Sequence, residues 1–326
     1  MWLSRHAPES VDDAPQEKLH EPLRMVVEED LNAVFYGPEG SGKSAMARAV
    51  CIDRFGDASN LFVLNAKDFF GMTKKEISED PRFRHFITSK RRRKSSKADM
   101  INHVLKEVAS HPSVGDRHKI LLIDDAGGMR RDFQQALRRV MERYSGTCQF
   151  ILTADSLGSL IPAIQSRCFP VPFEAPAQEG VVDVLDGIAD EEDLTYDDEG
   201  LEYVAEDADG NLRDAVSLLQ TVAETRGEVN IETVFDVTEE VETSRAYEML
   251  KTAREGSFDD ARDILDDLLI DEGYTGKEIL REILQKTNEL NDSDASEIAC
   301  ICGEVDHALA EGNNDRIHLE KLIASV

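Results

Sequence analysis

An α/β fold is predicted, with a parallel sheet confined to residues 1–173 and all-helical domains after it. Through this first part, short apolar runs alternate with helical patterns, the mark of strands joined by crossover helices. Residues 37–44, GPEGSGKS, match G-x-x-x-x-G-K-[ST] in full between an apolar run and a helical pattern. After Pro170 and Pro172 no strand pattern of any strength returns.

LNAVFY (31–36) reads as the first buried strand and SAMARAVCIDRF (44–55) as the helix leaving the Gly-rich loop. The other strands are LFVLNA (61–66), HKILLID (118–124), QFILTAD (149–155) and the short CFPVPF (168–173). Helical patterns fill 98–110, 131–143 and 159–165 between them. An acidic helical stretch follows at 177–189, 197–206 and 210–225, with a short segment near 231–236. In residues 243–325 apolar positions recur at helical spacing, as in Ile264, Leu265, Leu268 and Leu269. Gly256, Gly273, Gly276 and Gly312 stand near expected helix ends. The expected domains are residues 1–173, 174–238 and 239–326.

The loop carries the first chemistry. Gly37, Gly40 and Gly42 let the backbone of the Gly37-Pro38-Glu39-Gly40-Ser41-Gly42 turn aim its N–H groups at phosphate oxygens. Lys43 brings a point charge to the β- and γ-phosphates, and the Ser44 hydroxyl is placed for Mg²⁺. A triphosphate site also needs a carboxylate at the end of a second apolar strand. KILLIDD (119–125) offers Asp124 for the metal and Asp125 as base or orienter of an attacking water.

Composition narrows the setting. The chain has 326 residues, no apolar run of membrane-spanning length and no leader pattern, so a soluble cytoplasmic protein is expected. Five cysteines show neither metal-ligand spacing nor a disulfide framework. The 66 acidic residues outweigh 37 basic ones, for a net charge of −29, and only 14 are lysine. That balance resembles the proteins of salt-loving archaea. Residues 74–97 break it, with ten Lys/Arg against three Asp/Glu.

The stretch FQQALRRVMERYSGTCQFILTADSLGSLIPAIQSRC (133–168) resembles the small subunit of replication factor C, an AAA+ clamp loader. Trp2 to Asp13 is similar to that family's opening segment, GNLRDAVSLLQ (210–220) to its lid helix and EGNNDRIHLEKLIA (311–324) to its last collar helix. The resemblance implies an AAA+ core, a helical lid and a helical collar that joins subunits into a hetero-pentamer. It also implies ATP and Mg²⁺ as ligands, and a sliding clamp and primer-template DNA as partners. Arg167 is implied as the arginine finger offered to a neighbour's nucleotide, and Arg213 as the lid arginine that contacts phosphate in its own subunit. The helix at 98–110, with Val108 near its end, is implied to face the clamp.

Three departures concern hydrolysis or base recognition. Asp125 stands where the family has glutamate, and a group about 1 Å short of its productive position can cost roughly 100-fold in rate. Asp155 stands where an asparagine normally donates to the γ-phosphate or the attacking water, and an ionised carboxylate only accepts. Thr153 is the alternative donor. His6-Ala7-Pro8 replaces Tyr-Arg-Pro before the adenine pocket. A subunit that binds ATP but turns it over slowly is expected.

The family's N-A-S-D is NAKD (65–68) here, followed by an insertion over about 69–96 that carries Arg82, Arg84, Arg91, Arg92, Arg93 and Lys94. These are the candidate DNA-phosphate contacts; the alternatives are an acidic protein neighbour or a solvated loop. The basic insert suggests a second small-subunit type found in salt-loving archaea. Phe83 and Phe86 are read either as base-stacking groups or as anchors of the insert. A non-replicative AAA+ remodeller and a non-hydrolysing regulatory ATP binder are the competing functions.

Overall fold

The computed structural model describes residues 1–87, 95–110, 119–242, 245–271, 273–289, 295–311 and 314–325. Five parallel strands form the main sheet: β1 (Ala33–Tyr36), β2 (Leu61–Asn65), β3 (Lys119–Asp124), β4 (Cys148–Ala154) and β5 (Phe169–Pro172). Their order is β2-β3-β4-β1-β5, with β1 held between β4 and β5. All of β4, and β3 up to Asp124, are buried, which explains why these strands read as unbroken apolar runs.

Alternation along β3 divides the core into two layers. Leu121 and Ile123 join Phe150, Leu152, Met100, Phe133 and Leu137 on one face. Ile120 and Leu122 join Ile151, Phe35, Met46 and Val50 on the other. The helix Lys43–Phe55 lies in the second layer, and Lys97–Ser110 and Arg131–Tyr144 in the first. Val108 is only 3% exposed and belongs to the first layer, so in this conformation it offers no contact surface for a clamp.

The basic insert has a folded base. Asn65 caps Ala66–Gly71, and Thr73 and Glu76 form a reciprocal capping box on Lys74–Glu79. Phe83 is fully buried, 5.0 Å from the Phe69 ring, and Phe86 packs partly buried against the same cluster. His103 Nε2 donates to the Phe86 carbonyl at 2.9 Å. Both phenylalanines are therefore anchors, and stacking on bases is excluded for Phe83 as it lies. Arg82 is paired with Asp80 at 2.8 Å, while Arg84 is exposed. Arg91, Arg92, Arg93 and Lys94 lie outside the described residues.

Beyond β5 the chain is helical through Gln178–Glu191, Asp198–Asp207, Leu212–Arg226 and Ile231–Glu242. Two strands of two residues each, Thr195–Tyr196 and Glu228–Val229, pair in parallel here. They are too short to show period-two alternation, which is why the sequence gives no strand pattern after Pro172. The chain divides into compact units at Met1–Val234 and Phe235–Val326. The second contains the helices Arg245–Arg254, Phe258–Asp266, Gly276–Glu289, Ala295–Glu311 and Asp315–Ile323. Its own core includes Met249, Leu265, Ile279, Ile283, Ile298, Val305 and Leu319. Among the described residues, no helix is long and apolar enough to cross a membrane.

Candidate nucleotide site

Parallel strands place their carboxyl ends on one edge, where loops leave the sheet and ligands can enter. At that edge Asn65 is in register with Asp124, Ile123 with Leu152, and Tyr36 with Ala154. The Gly37 N–H donates to the Ala154 carbonyl at 3.1 Å, so the phosphate loop starts beside the end of β4. A cleft of about 1090 Å³ opens there, lined by the phosphate loop, the ends of β3 and β4, the N-terminal segment and two lid helices.

The loop takes positive φ at three glycines, Gly37, Gly40 and Gly42, and at the first two a side chain would also clash. Gly37 has φ 153°, and a Cβ on it would lie 1.8 Å from the Phe173 carbonyl oxygen. Gly40 has φ 71°, and a Cβ there would lie 1.7 Å from Asn211 Oδ1 of the lid. Ser41 is buried, with its hydroxyl donating to the Pro38 carbonyl at 2.8 Å. Lys43 Nζ donates to the carbonyls of Gly37 (2.7 Å) and Pro38 (2.5 Å). Burial lowers the Lys43 pKa, and the carboxylates of Asp155, Glu39 and Asp124 work against that shift.

Asp124 Oδ1 accepts from two hydroxyls, Ser44 Oγ at 2.5 Å and Thr153 Oγ1 at 2.6 Å. The Asp125 N–H in turn donates to Thr153 Oγ1 at 2.9 Å. Thr153 is 2% exposed, lines the cleft wall and braces the Asp124 carboxylate from beneath. Asp125 adopts φ 55°, a left-handed conformation that aspartate tolerates better than most residues. Its Oδ2 is 2.8 Å from Lys67 Nζ. That contact, followed by the field of Asp155, raises the Lys67 pKa. Lys67 was not singled out from the sequence; the lysine inside NAKD was the available signal.

Ser44 and Asp124 fit Mg²⁺, which keeps several waters and takes one or two protein oxygens beside substrate phosphates. Among the described residues no group of three or more His, Cys, Asp or Glu side chains is set to hold a metal. Asp155 is exposed and lines the same cleft.

From the lid, Arg213 Nη1 reaches Glu39 Oε1 at 2.9 Å. Arg167 stands apart from the cleft, with Nη2 2.6 Å from Glu142 Oε1 and Nη1 donating to the Ala163 carbonyl at 2.7 Å. The cleft thus gathers the loop, Asp124, Asp125, Asp155 and Arg213, while Arg167 does not line it. At its far end, His6 Nδ1 is 2.8 Å from Glu191 Oε2, and Nε2 is 2.6 Å from Glu192 Oε1. The Trp2 N–H donates to Gln220 Oε1 at 3.0 Å. The N-terminal segment is thereby tied to the lid, a connection that sequence spacing gave no means of seeing.

Family models match three consecutive regions. "ATPase family associated with various cellular activities (AAA)" covers residues 33–174, "DNA polymerase III clamp loader subunit, ATPase lid domain" 180–227, and "Replication factor C C-terminal domain" 243–325. The chain is 30% identical to the replication factor C small subunit of Halobacterium salinarum, covering 100% of this chain and 95% of that protein. Identity to the small subunit of Archaeoglobus fulgidus is also 30%, over 99% and 96% of the two chains. In fold it is similar to the Thermotoga maritima RuvB Holliday junction branch migration motor, with TM-score 0.54, 16% identity, and 81% and 87% of the chains covered. It is similar too to the Aeropyrum pernix ORC1 protein in complex with DNA, with TM-score 0.57, 19% identity, and 98% and 94% covered. With full-length identity at this level and matching core, lid and C-terminal regions, the chain belongs to the replication factor C small-subunit family of AAA+ clamp-loader proteins.

Proposed function

We propose that this chain is a cytoplasmic clamp-loader small subunit that binds ATP and Mg²⁺, hydrolyses ATP slowly at its own site and supplies Arg167 to a neighbour. The observation that carries this reading is the split between a complete phosphate-binding arrangement and a compromised hydrolytic one. Lys43, Ser44 and Asp124 converge on the loop. Asp125, the candidate base or orienter of the attacking water, is a methylene short and is held by Lys67. Asp155 adds negative charge where a donor is wanted. Mg²⁺, when bound, supplies charge neutralisation to the phosphates.

Arg167 fits the role of a finger because its guanidinium is one-third exposed and is held by the surface carboxylate of Glu142, the Ala163 carbonyl and the Ser166 hydroxyl. Contacts of this kind are worth about 0–1 kcal/mol and are readily exchanged for a phosphate. The reading includes the other loader subunits, a sliding clamp and primer-template DNA as partners.

ATPase measurements in high salt with clamp and primed DNA test it. The isolated chain should turn over near the Lys43→Ala background, with Asp125→Asn changing little. In mixed rings, Arg167→Ala should lower turnover on the order of 100-fold, as expected for loss of a transition-state cation. Turnover by the isolated chain at a standard small subunit's rate would defeat the slow-site reading.

The basic insert is proposed to contact DNA phosphates. At molar salt the Debye length is about 3 Å, so only direct Arg–phosphate contacts persist. Charge reversal of residues 91–94 should weaken primed-DNA binding and flatten its salt dependence. Unchanged affinity together with lost ring assembly would instead identify an acidic protein neighbour.

A further inference from the structure

The phosphate loop contains a carboxylate of its own. Glu39 lies between the loop's first two glycines, in the same field as Lys43, and pairs with Arg213 on the first turn of the lid helix Leu212–Arg226. That helix is already fastened to the loop without the pair. The Leu212 N–H donates to the Gly40 carbonyl at 3.1 Å, and Asn211 Oδ1 occupies the place a Cβ on residue 40 would fill. The backbone carrying Arg213 is therefore fixed beside the loop, and only its guanidinium needs to move to change partners. Both members of the pair are more than half exposed, 57% for Arg213 and 77% for Glu39, so the contact is weak and exchangeable.

We propose that Glu39 is a specificity-determining residue that stands in for the γ-phosphate, holding Arg213 when the bound nucleotide ends at the β-phosphate. The proposal rests on the ATP-site reading above. A nucleoside triphosphate must take Arg213 from Glu39, and its affinity is reduced by the cost of that exchange. A diphosphate leaves the pair in place and bears no such cost. Glu39 thus narrows the difference in affinity between ATP and ADP.

Calorimetric titration of the full chain with Mg-ATP and Mg-ADP at one fixed salt concentration tests this. Glu39→Gln should tighten ATP about two- to fivefold, the range of an exposed ion pair, and leave ADP nearly unchanged. In an Arg213→Ala background the same substitution should have no selective effect. Equal tightening of both nucleotides, or a gain for ATP that persists without Arg213, would overturn the proposal and reduce Glu39 to a general repulsive charge. Lys43→Ala separates the two readings. If it abolishes nucleotide binding while Glu39→Gln changes nothing, only the Glu39 role fails. If it leaves binding intact, the site assignment fails and the Glu39 role with it.

Discussion

Lys43→Ala is expected to weaken Mg-ATP binding on the order of 100-fold, the largest loss of nucleotide affinity expected here. Nζ is half-buried and already makes two hydrogen bonds to loop carbonyls, so its position is set before ligand arrives. Hydrogen bonds to charged groups contribute about 1.5–3 kcal/mol, and the upper value corresponds to roughly a 100-fold change in affinity. Arg213→Ala should cost far less, because its guanidinium is exposed and must first leave Glu39. Calorimetry on the two variants orders them directly. An affinity for Lys43→Ala within about threefold of wild type would remove the loop from the nucleotide site.

Phe83→Ala carries the largest expected effect on stability, about 3–5 kcal/mol for truncating a fully buried aromatic. Its ring fills the space beside Phe69, within the cluster that also contains Ile77, Met100 and Ile101. The surface pair Arg82–Asp80 beside it cannot offset that loss, since such pairs contribute about 0–1 kcal/mol. Two measurements distinguish how the loss appears. A lowered denaturant midpoint means that the insert unfolds with the sheet. An unchanged midpoint with rapid proteolysis near residue 83 means that the insert opens by itself. A variant that shows neither would contradict the packing.

The sheet was legible because its strands are buried on both faces and its helices carry a clear period. LNAVFY and KILLID mark strands without help from their neighbours, and GPEGSGKS sets the link between the first strand and its helix. The paired dipeptides at 195–196 and 228–229 were not legible, since two residues cannot display a period. Within the site, residue types fixed by backbone placement were found: Lys43, Ser44 and Asp124 follow their motif positions. Pairings made across the chain were not. Lys67 against Asp125, Arg213 against Glu39 and His6 against Glu191 and Glu192 each depend on how distant segments meet. Thr153 shows the same limit. As a residue type it suits a phosphate donor, yet its burial and two hydrogen bonds make it a support for the strand ends.

The fit of Asn211 against Gly40 gives the phosphate loop a mechanical duty. Asn211 also caps the lid helix by accepting from the N–H groups of Arg213 and Asp214. A methyl group at residue 40 would strain the loop backbone and also push this cap away, loosening the helix start that carries Arg213. Loop and lid therefore behave as a ball seated in a socket: displacement of either is felt at once by the other. A shift of the lid would reach the phosphate loop through one glycine, with no need for a chain of intermediate side chains.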